Sequence, residues 1–284
     1  MNPVEKALWF IESHFAGDID LGDVARAAGV SRFHMTRAFG AATNRSIMSY
    51  VRARRLSEAA KALLNGASDI LSVALDAGYS SHEAFTRAFR AEFGLTPEAA
   101  RAQQKAMKLE LIGPIKLDDF LTIRLEPPRF EEGERLLVAG LAERYSCETS
   151  AAIPSQWQRF APHLSHIPGQ IGGAAYGVFC NDDEAGNFDY ICAATVRDFT
   201  GISRAWTCLR IPEQNYAVFR RPDHISTIRS VWNTIWNHWL PNSGHQAVDA
   251  PAFERYDQQF NSATGLGGFE VWIPIQAKGQ RADS

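Results

Sequence analysis

The chain has 284 residues, of which 45% are hydrophobic and 21% charged, and its formal net charge is −3. That length and apolar content are those of two globular domains rather than a disordered chain. The charge excludes a generic nucleic-acid sponge, and no stretch reaches the length of a membrane span or has the apolar core of a secretory signal. The protein is therefore expected in the cytoplasm, with no membrane partner. Cys147, Cys180, Cys192 and Cys208 are widely spaced and form no C-x-x-C, so reduced thiols are expected and neither a metal nor a cofactor.

In chain order, residues 3–15 read as a helix, with Pro3 in the first turn and Val4, Leu8, Ile11 and Phe15 on one stripe. A short helix over 21–28 follows, capped by Asp20 and stopped by Gly29. Ser31 caps the next helix, 32–42, and a long helix runs over 46–64, a rod of about 28 Å. Then the pattern restarts: a helix over 70–77, a stop at Gly78, caps at Ser80 and Ser81, a helix to Phe93, and a last short helix from Thr96-Pro97. The tetrapeptide Thr-Arg-Ala-Phe occurs at Thr36–Phe39 and again at Thr86–Phe89, each copy after an Ala-Gly step. This is a repeated helix-turn-helix, and each copy can place one helix in a DNA major groove.

Beyond residue 104 the pattern changes. Strands are expected at 136–145, 174–180, 190–196, 205–211, 216–220, 252–256 and 269–275, with helices at 153–167 and 225–239. Six of the seven strands and both helices follow the order strand, helix, strand, strand, used twice, which predicts an α+β domain of two pseudo-symmetric βαββ units with a cleft between them.

Residues 1–104 resemble the AraC/XylS transcription regulators. The likeness rests on Leu21-x-x-Val24-Ala25, Gly29-x-Ser31 and Phe39, then on Gly78-Tyr79-Ser80, Phe85, Arg87, Phe89 and Phe93-Gly94-x-Thr96-Pro97. It departs at Arg45-Ser46-Ile47, where a proline is usual, and at Ala100, where an aromatic is expected. Residues from about 115 to 277 are similar to the GyrI-like effector-binding domains, through Pro212–Phe219, Trp239-Leu240-Pro241, Phe253–Asp257 and Glu270–Ile275. The expected division is a DNA-binding domain over 1–104 with two helix-turn-helix units, a linker over 105–114, and an effector-binding domain over 115–284.

The family position of the second helix in each unit implies which side chains meet DNA. In the first unit they are Ser31, Arg32, Phe33, Thr36 and Arg37; in the second, Ser81, His82, Glu83, Thr86 and Arg87. Arg binds guanine bidentately, Thr and Phe touch thymine methyls, Glu accepts from cytosine, and serines at helix starts suit phosphate. Two such helices on a 28 Å rod suit grooves about 34 Å apart if the duplex bends, at an elastic cost of about 1–6 kcal/mol. One molecule suffices for promoter DNA on this reading, with dimerisation left open and RNA polymerase as an expected partner.

For the second domain, Glu270 stands in an apolar strand and shares a face with Trp272. The resemblance implies a cavity glutamate that attracts a small cationic or aromatic effector; pairing of Glu270 with a local arginine is the competing reading. Trp232 and Trp236 fall on one helical stripe with Trp239 and, with Tyr190, Trp206 and Phe219, are candidate lining. His163 and His166 lie three apart without a third ligand in view. No nucleophile elbow, zinc-protease motif or phosphate loop occurs, so an enzyme is not expected. Alternatives are a protein-interaction module and a small-molecule hydrolase.

Overall fold

The computed structural model describes residues 1–67, 69–103, 109–117, 122–262 and 264–278. The expected linker, 105–114, is thus described only from residue 109 onward. By contacts the chain divides into two compact units: one holds Pro3–Met35 and Ser46–Leu117, the other Thr36–Arg45 and Asp118–Ser284.

The first unit is helical. α1 is Pro3–His14, α2 Leu21–Ala28, α4 Ile47–Leu64, α5 Ile70–Asp76, α6 His82–Phe93 and α7 Pro97–Gln103. α3, Arg32–Thr43, is shared, its residues from Thr36 onward clustering with the second unit. Local chemistry fixes the ends. Asp20 and Asp23 form a reciprocal capping box on α2, and Ser81 accepts from Ala84 N at the start of α6. Gly29 and Gly78 close the two turns at φ 74° and 81°, in the left-handed region that costs glycine nothing. Leu56, Ala60, Leu63, Ile70, Ala74, Phe85 and Phe89 form a core under the second helix-turn-helix. Arg54, 5% exposed, ties α4 to α1 by a 2.9 Å ion pair with Glu12 and reaches the Ile112 carbonyl at 2.8 Å.

The second unit is an antiparallel sheet with helices. Its strands are β1 Arg129–Gly133, β2 Leu136–Ser146, β3 Gln170–Cys180, β4 Asn187–Val196, β5 Thr207–Ile211, β6 Gln214–Arg221, β7 His245–Ala247, β8 Ala252–Tyr256 and β9 Phe269–Ala277. They run in the order β1-β6-β9-β8-β3-β4-β2-β5, with β7 added to β9. β1 and β7 were not legible in the sequence: RFEEG and HQA are short and polar. The helix expected over 153–167 is α8, Ile153–Phe160, followed by a 3₁₀ turn. The helix expected over 225–239 starts as a 3₁₀ turn, becomes α9 at Ile228–Thr234 and passes into a π turn at Ile235–Trp239.

Period-2 alternation sorts the strands into two faces. Tyr190, Cys192, Ala194 and Val196 pack with Phe160 of α8 on one, and Gln156 of α8 locks on by donating to the carbonyls of Leu141 and Tyr190. Tyr176, Val178, Ile191, Ala193, Tyr216, Val218 and Phe253 form the other cluster.

Candidate functional site

Glu254 is the residue around which the second unit is arranged. It lies on β8, on the face of Ala252 and Tyr256, and is 5% exposed. Its carboxylate accepts three hydrogen bonds: from Trp232 Nε1 at 2.8 Å, Tyr190 Oη at 2.7 Å and Tyr256 Oη at 2.8 Å. The Tyr190 hydroxyl in turn accepts from Trp157 Nε1 at 3.0 Å. Burial raises the carboxyl above the usual Glu range, and the three donors only partly offset it. The same burial, with Glu254 beside them, pushes both tyrosine hydroxyls well above the phenolic range.

Glu254 forms part of the wall of a cavity of about 850 Å³. Around it stand Trp157 and Pro154 of α8, Phe179 of β3, Phe188 and Tyr190 of β4, Trp232, Trp236 and Ile228 of the second helix, Tyr256 and Phe260. This volume is that of a small-molecule site, and its walls are largely aromatic, with Glu254 buried and Asp182 part-buried among them. Trp232 and Trp236 stack at 6.5 Å and 11°. Trp239 does not join them. The π turn adds a residue to the repeat, and Trp239 instead packs on Phe219 at 4.9 Å and His245 at 6.4 Å.

Of the residues read from the sequence as lining, Tyr190, Trp232 and Trp236 come together here; Glu270, Trp272, Trp206 and Phe219 are not among the lining residues. Glu270 shares the other face with Trp272. It is held by Arg129 at 2.9 Å and Arg255 at 3.2 Å, and it accepts from Trp272 Nε1 at 3.0 Å. Glu270 thus pairs with arginine, the competing reading, and does not line this cavity. Trp206 lies against Phe160 and His163 beside α8. Sequence reasoning missed Glu254, Trp157, Phe179, Phe188 and Tyr256. The signal was present in Ala252-Phe253-Glu254-Arg255-Tyr256, where alternation separates Glu254 from Arg255, whereas Glu270 has arginines opposite it on both neighbouring strands.

Among the expected DNA contacts, Arg32, Glu83 and Arg87 are exposed at the starts of α3 and α6, and Phe33 is half-buried. Ser31 accepts from His34 N, and Ser81 caps α6. His82 pairs with Glu98 at 2.9 Å. Thr86 Oγ1 is buried with no hydrogen-bond partner among the described residues. Thr36 and Arg37 belong by contact to the second unit and line the cavity. Arg37 Nη2 donates to Asp182 at 2.7 Å, and its guanidinium lies 5.1 Å from the Phe179 ring centre and 5.4 Å from that of Phe188. Among the described residues no group of three potential metal ligands occurs, and no helix is long and apolar enough to cross a membrane.

Residues 126–276, just over half the chain, match the model of the GyrI-like small molecule binding domain. The chain belongs to the GyrI-like family. Ahead of that domain, residues 24–103 match a helix-turn-helix domain of the AraC type. The transcriptional regulator Rob of Salmonella typhimurium is 30% identical over 177 residues, covering 60% of each chain. The right origin-binding protein of Escherichia coli is 33% identical over 144 residues, 51% of this chain and 49% of that one. The regulatory protein SoxS of Salmonella typhimurium is 33% identical over 98 residues, 34% of this chain and 92% of that one. The matches to Rob and to the right origin-binding protein thus span roughly half of those proteins.

Proposed function

We propose that this chain is a sequence-specific regulator of transcription, and that its GyrI-like domain takes a small hydrophobic cation at Glu254. The observation that carries the effector reading is a carboxylate held at the wall of an aromatic cavity by three neutral donors. Those donors stabilise negative charge without neutralising it, and in a low-dielectric site a cation over Trp232 and Trp157 adds Coulomb and cation–π attraction.

For DNA, the reading rests on two helix-turn-helix units that share capping and turn chemistry, with α3 and α6 as the groove-facing helices. Phe33, Thr36, Arg37, His82, Glu83 and Arg87 supply the base contacts, and Ser31, Arg32 and Ser81 the phosphate or flanking contacts. α4, 18 residues and about 27 Å long, joins the two helix-turn-helix units along the chain. A promoter, a cation and RNA polymerase are the proposed partners, in the cytoplasm, with one chain sufficient on DNA. The sheet order supports two related βαββ units, since β6-β9-β8 on one side of the centre corresponds to β2-β4-β3 on the other.

The test is a genome-wide binding profile to obtain an operator, followed by gel-shift titration with and without a hydrophobic cation. A cation-dependent change of Kd on the operator is expected. A profile without discrete sites, or a Kd indifferent to every cation that binds the protein, overturns the proposal.

A further inference from the structure

Arg37 carries its guanidinium into the same cavity that holds Glu254. It is seated there by a carboxylate and two rings: Asp182 at 2.7 Å, Phe179 at 5.1 Å and Phe188 at 5.4 Å. The two side chains of the ion pair are 13% and 17% exposed, so the pair is largely withdrawn from water. The Asp182 carboxyl is raised above the usual Asp range, first by burial and also by Asp249, with Arg37 the main influence lowering it. The seat is continuous with that of Glu254. Phe179 packs edge-on against Tyr190 at 4.9 Å and Trp232 at 5.1 Å, and both of these bond Glu254. The cavity therefore has two acids joined by one aromatic wall, and the chain's own guanidinium shows what one of them accepts.

We infer that the cavity has two cation subsites, Glu254 and Asp182, and that its preferred effectors are amphiphilic dications: two amidinium, guanidinium or ammonium heads joined by an apolar spacer. One head lies at Glu254, and the other takes the seat of the Arg37 guanidinium between Phe179 and Phe188. This rests on the reading of the cavity as the effector site. It adds a consequence for regulation: a dication releases Arg37 from Asp182, whereas a monocation leaves it in place. A guanidinium held at Asp182 is not on a guanine edge, so dications favour the DNA-reading role of Arg37 and monocations do not.

The experiment is calorimetric titration of the full chain with bis(4-amidinophenoxy)alkanes of graded linker length, against the matching mono-amidine. Two tethered heads gain from effective concentration once the linker spans both seats. The expected result is a dication bound at least about tenfold tighter than the monocation at the best linker length. Asp182→Asn should reduce that ratio to about twofold or less, Arg37→Ala should raise it by removing the resident competitor, and Glu270→Gln, on the other face, should leave it unchanged. Glu254→Gln should weaken both probes. Equal affinity of the two probes across all linkers, or a ratio unmoved by Asp182→Asn, overturns the two-subsite inference while the monocation site stands. Failure of both probes to bind the wild-type protein overturns the effector reading as well.

Discussion

The Tyr190 hydroxyl donates to Glu254 across 2.7 Å, although β3 lies between their strands, β4 and β8. The bond passes over Gly177 of β3. A Cβ at that position would collide with the Tyr190 hydroxyl and sit 2.8 Å from Glu254 Oε2. Glycine is needed here for space, not for backbone freedom.

Gly177→Ala is accordingly expected to separate Tyr190 from Glu254. The ring of Tyr190 is 1% exposed and has no room to swing away, so the strain falls on the hydrogen-bond network. Cation affinity should drop about tenfold or more, and stability by about 1–3 kcal/mol, as overpacking in a core does. Titration calorimetry and a urea melt of the same variant check both.

The pH dependence of cation binding follows from Glu254. Its carboxyl is raised in the folded chain, so the proton is held more tightly than in the unfolded one. A group of that kind contributes stability at low pH, which is lost as pH rises from the ordinary Glu range through the folded value. A cation prefers the ionised form. Its affinity should therefore climb with pH across that window, by at most about tenfold per unit, and level off once Glu254 is ionised. Tyr190 and Tyr256 titrate far above the window and do not blur it. The shift in melting temperature caused by a fixed cation concentration, measured from pH 4 to pH 8, should grow with pH; a shift that shrinks contradicts the assignment.

In the helical unit, Arg54→Ala should be the costly surface-distant change. Arg54 holds Glu12 and the Ile112 carbonyl, and its removal leaves a half-buried carboxylate without its cation, with Tyr50 still donating to it. Burial raises the Glu12 carboxyl, and the hydrogen bonds from Arg54 and Tyr50 more than reverse this, leaving it lowered. That contribution is present above the ordinary Glu range and is lost as pH falls through the folded value. A loss of about 3 kcal/mol is expected at neutral pH, smaller in acid, by chemical denaturation.

Asp182→Asn should tighten operator binding. The substitution removes the charge that holds Arg37 and leaves the helix sequence unchanged. A Kd lower by up to about tenfold in a gel shift is expected, and the gain should vanish when combined with Arg37→Ala. An unchanged or higher Kd for the single variant would show that the pair does not restrain DNA reading.

The helix-turn-helix pair was legible because its signals are local: Asp20, Ser81, Gly29 and Gly78 sit at fixed offsets from an apolar repeat. The strands with apolar alternation were legible for the same reason. The cavity acid was not. Glu254 and Glu270 both stand in aromatic strands, and what separates them is the neighbour across the sheet. Glu270 faces Arg220 and Arg255 in register, while Glu254 is paired with Val271 and Gly177. Register between strands far apart in sequence is a tertiary property. The π turn that moves Trp239 off the cavity stripe, and the seat of Arg37 at Asp182, depend on packing in the same way.

The most direct measurement is calorimetric titration of a 4-alkoxybenzamidinium monocation into the wild-type chain, Glu254→Gln and Glu270→Gln. The account predicts binding to wild type and to Glu270→Gln with the same Kd, and at least tenfold weaker binding to Glu254→Gln, about 1.4 kcal/mol or more. Binding that survives Glu254→Gln unchanged, or is lost with Glu270→Gln, would contradict it.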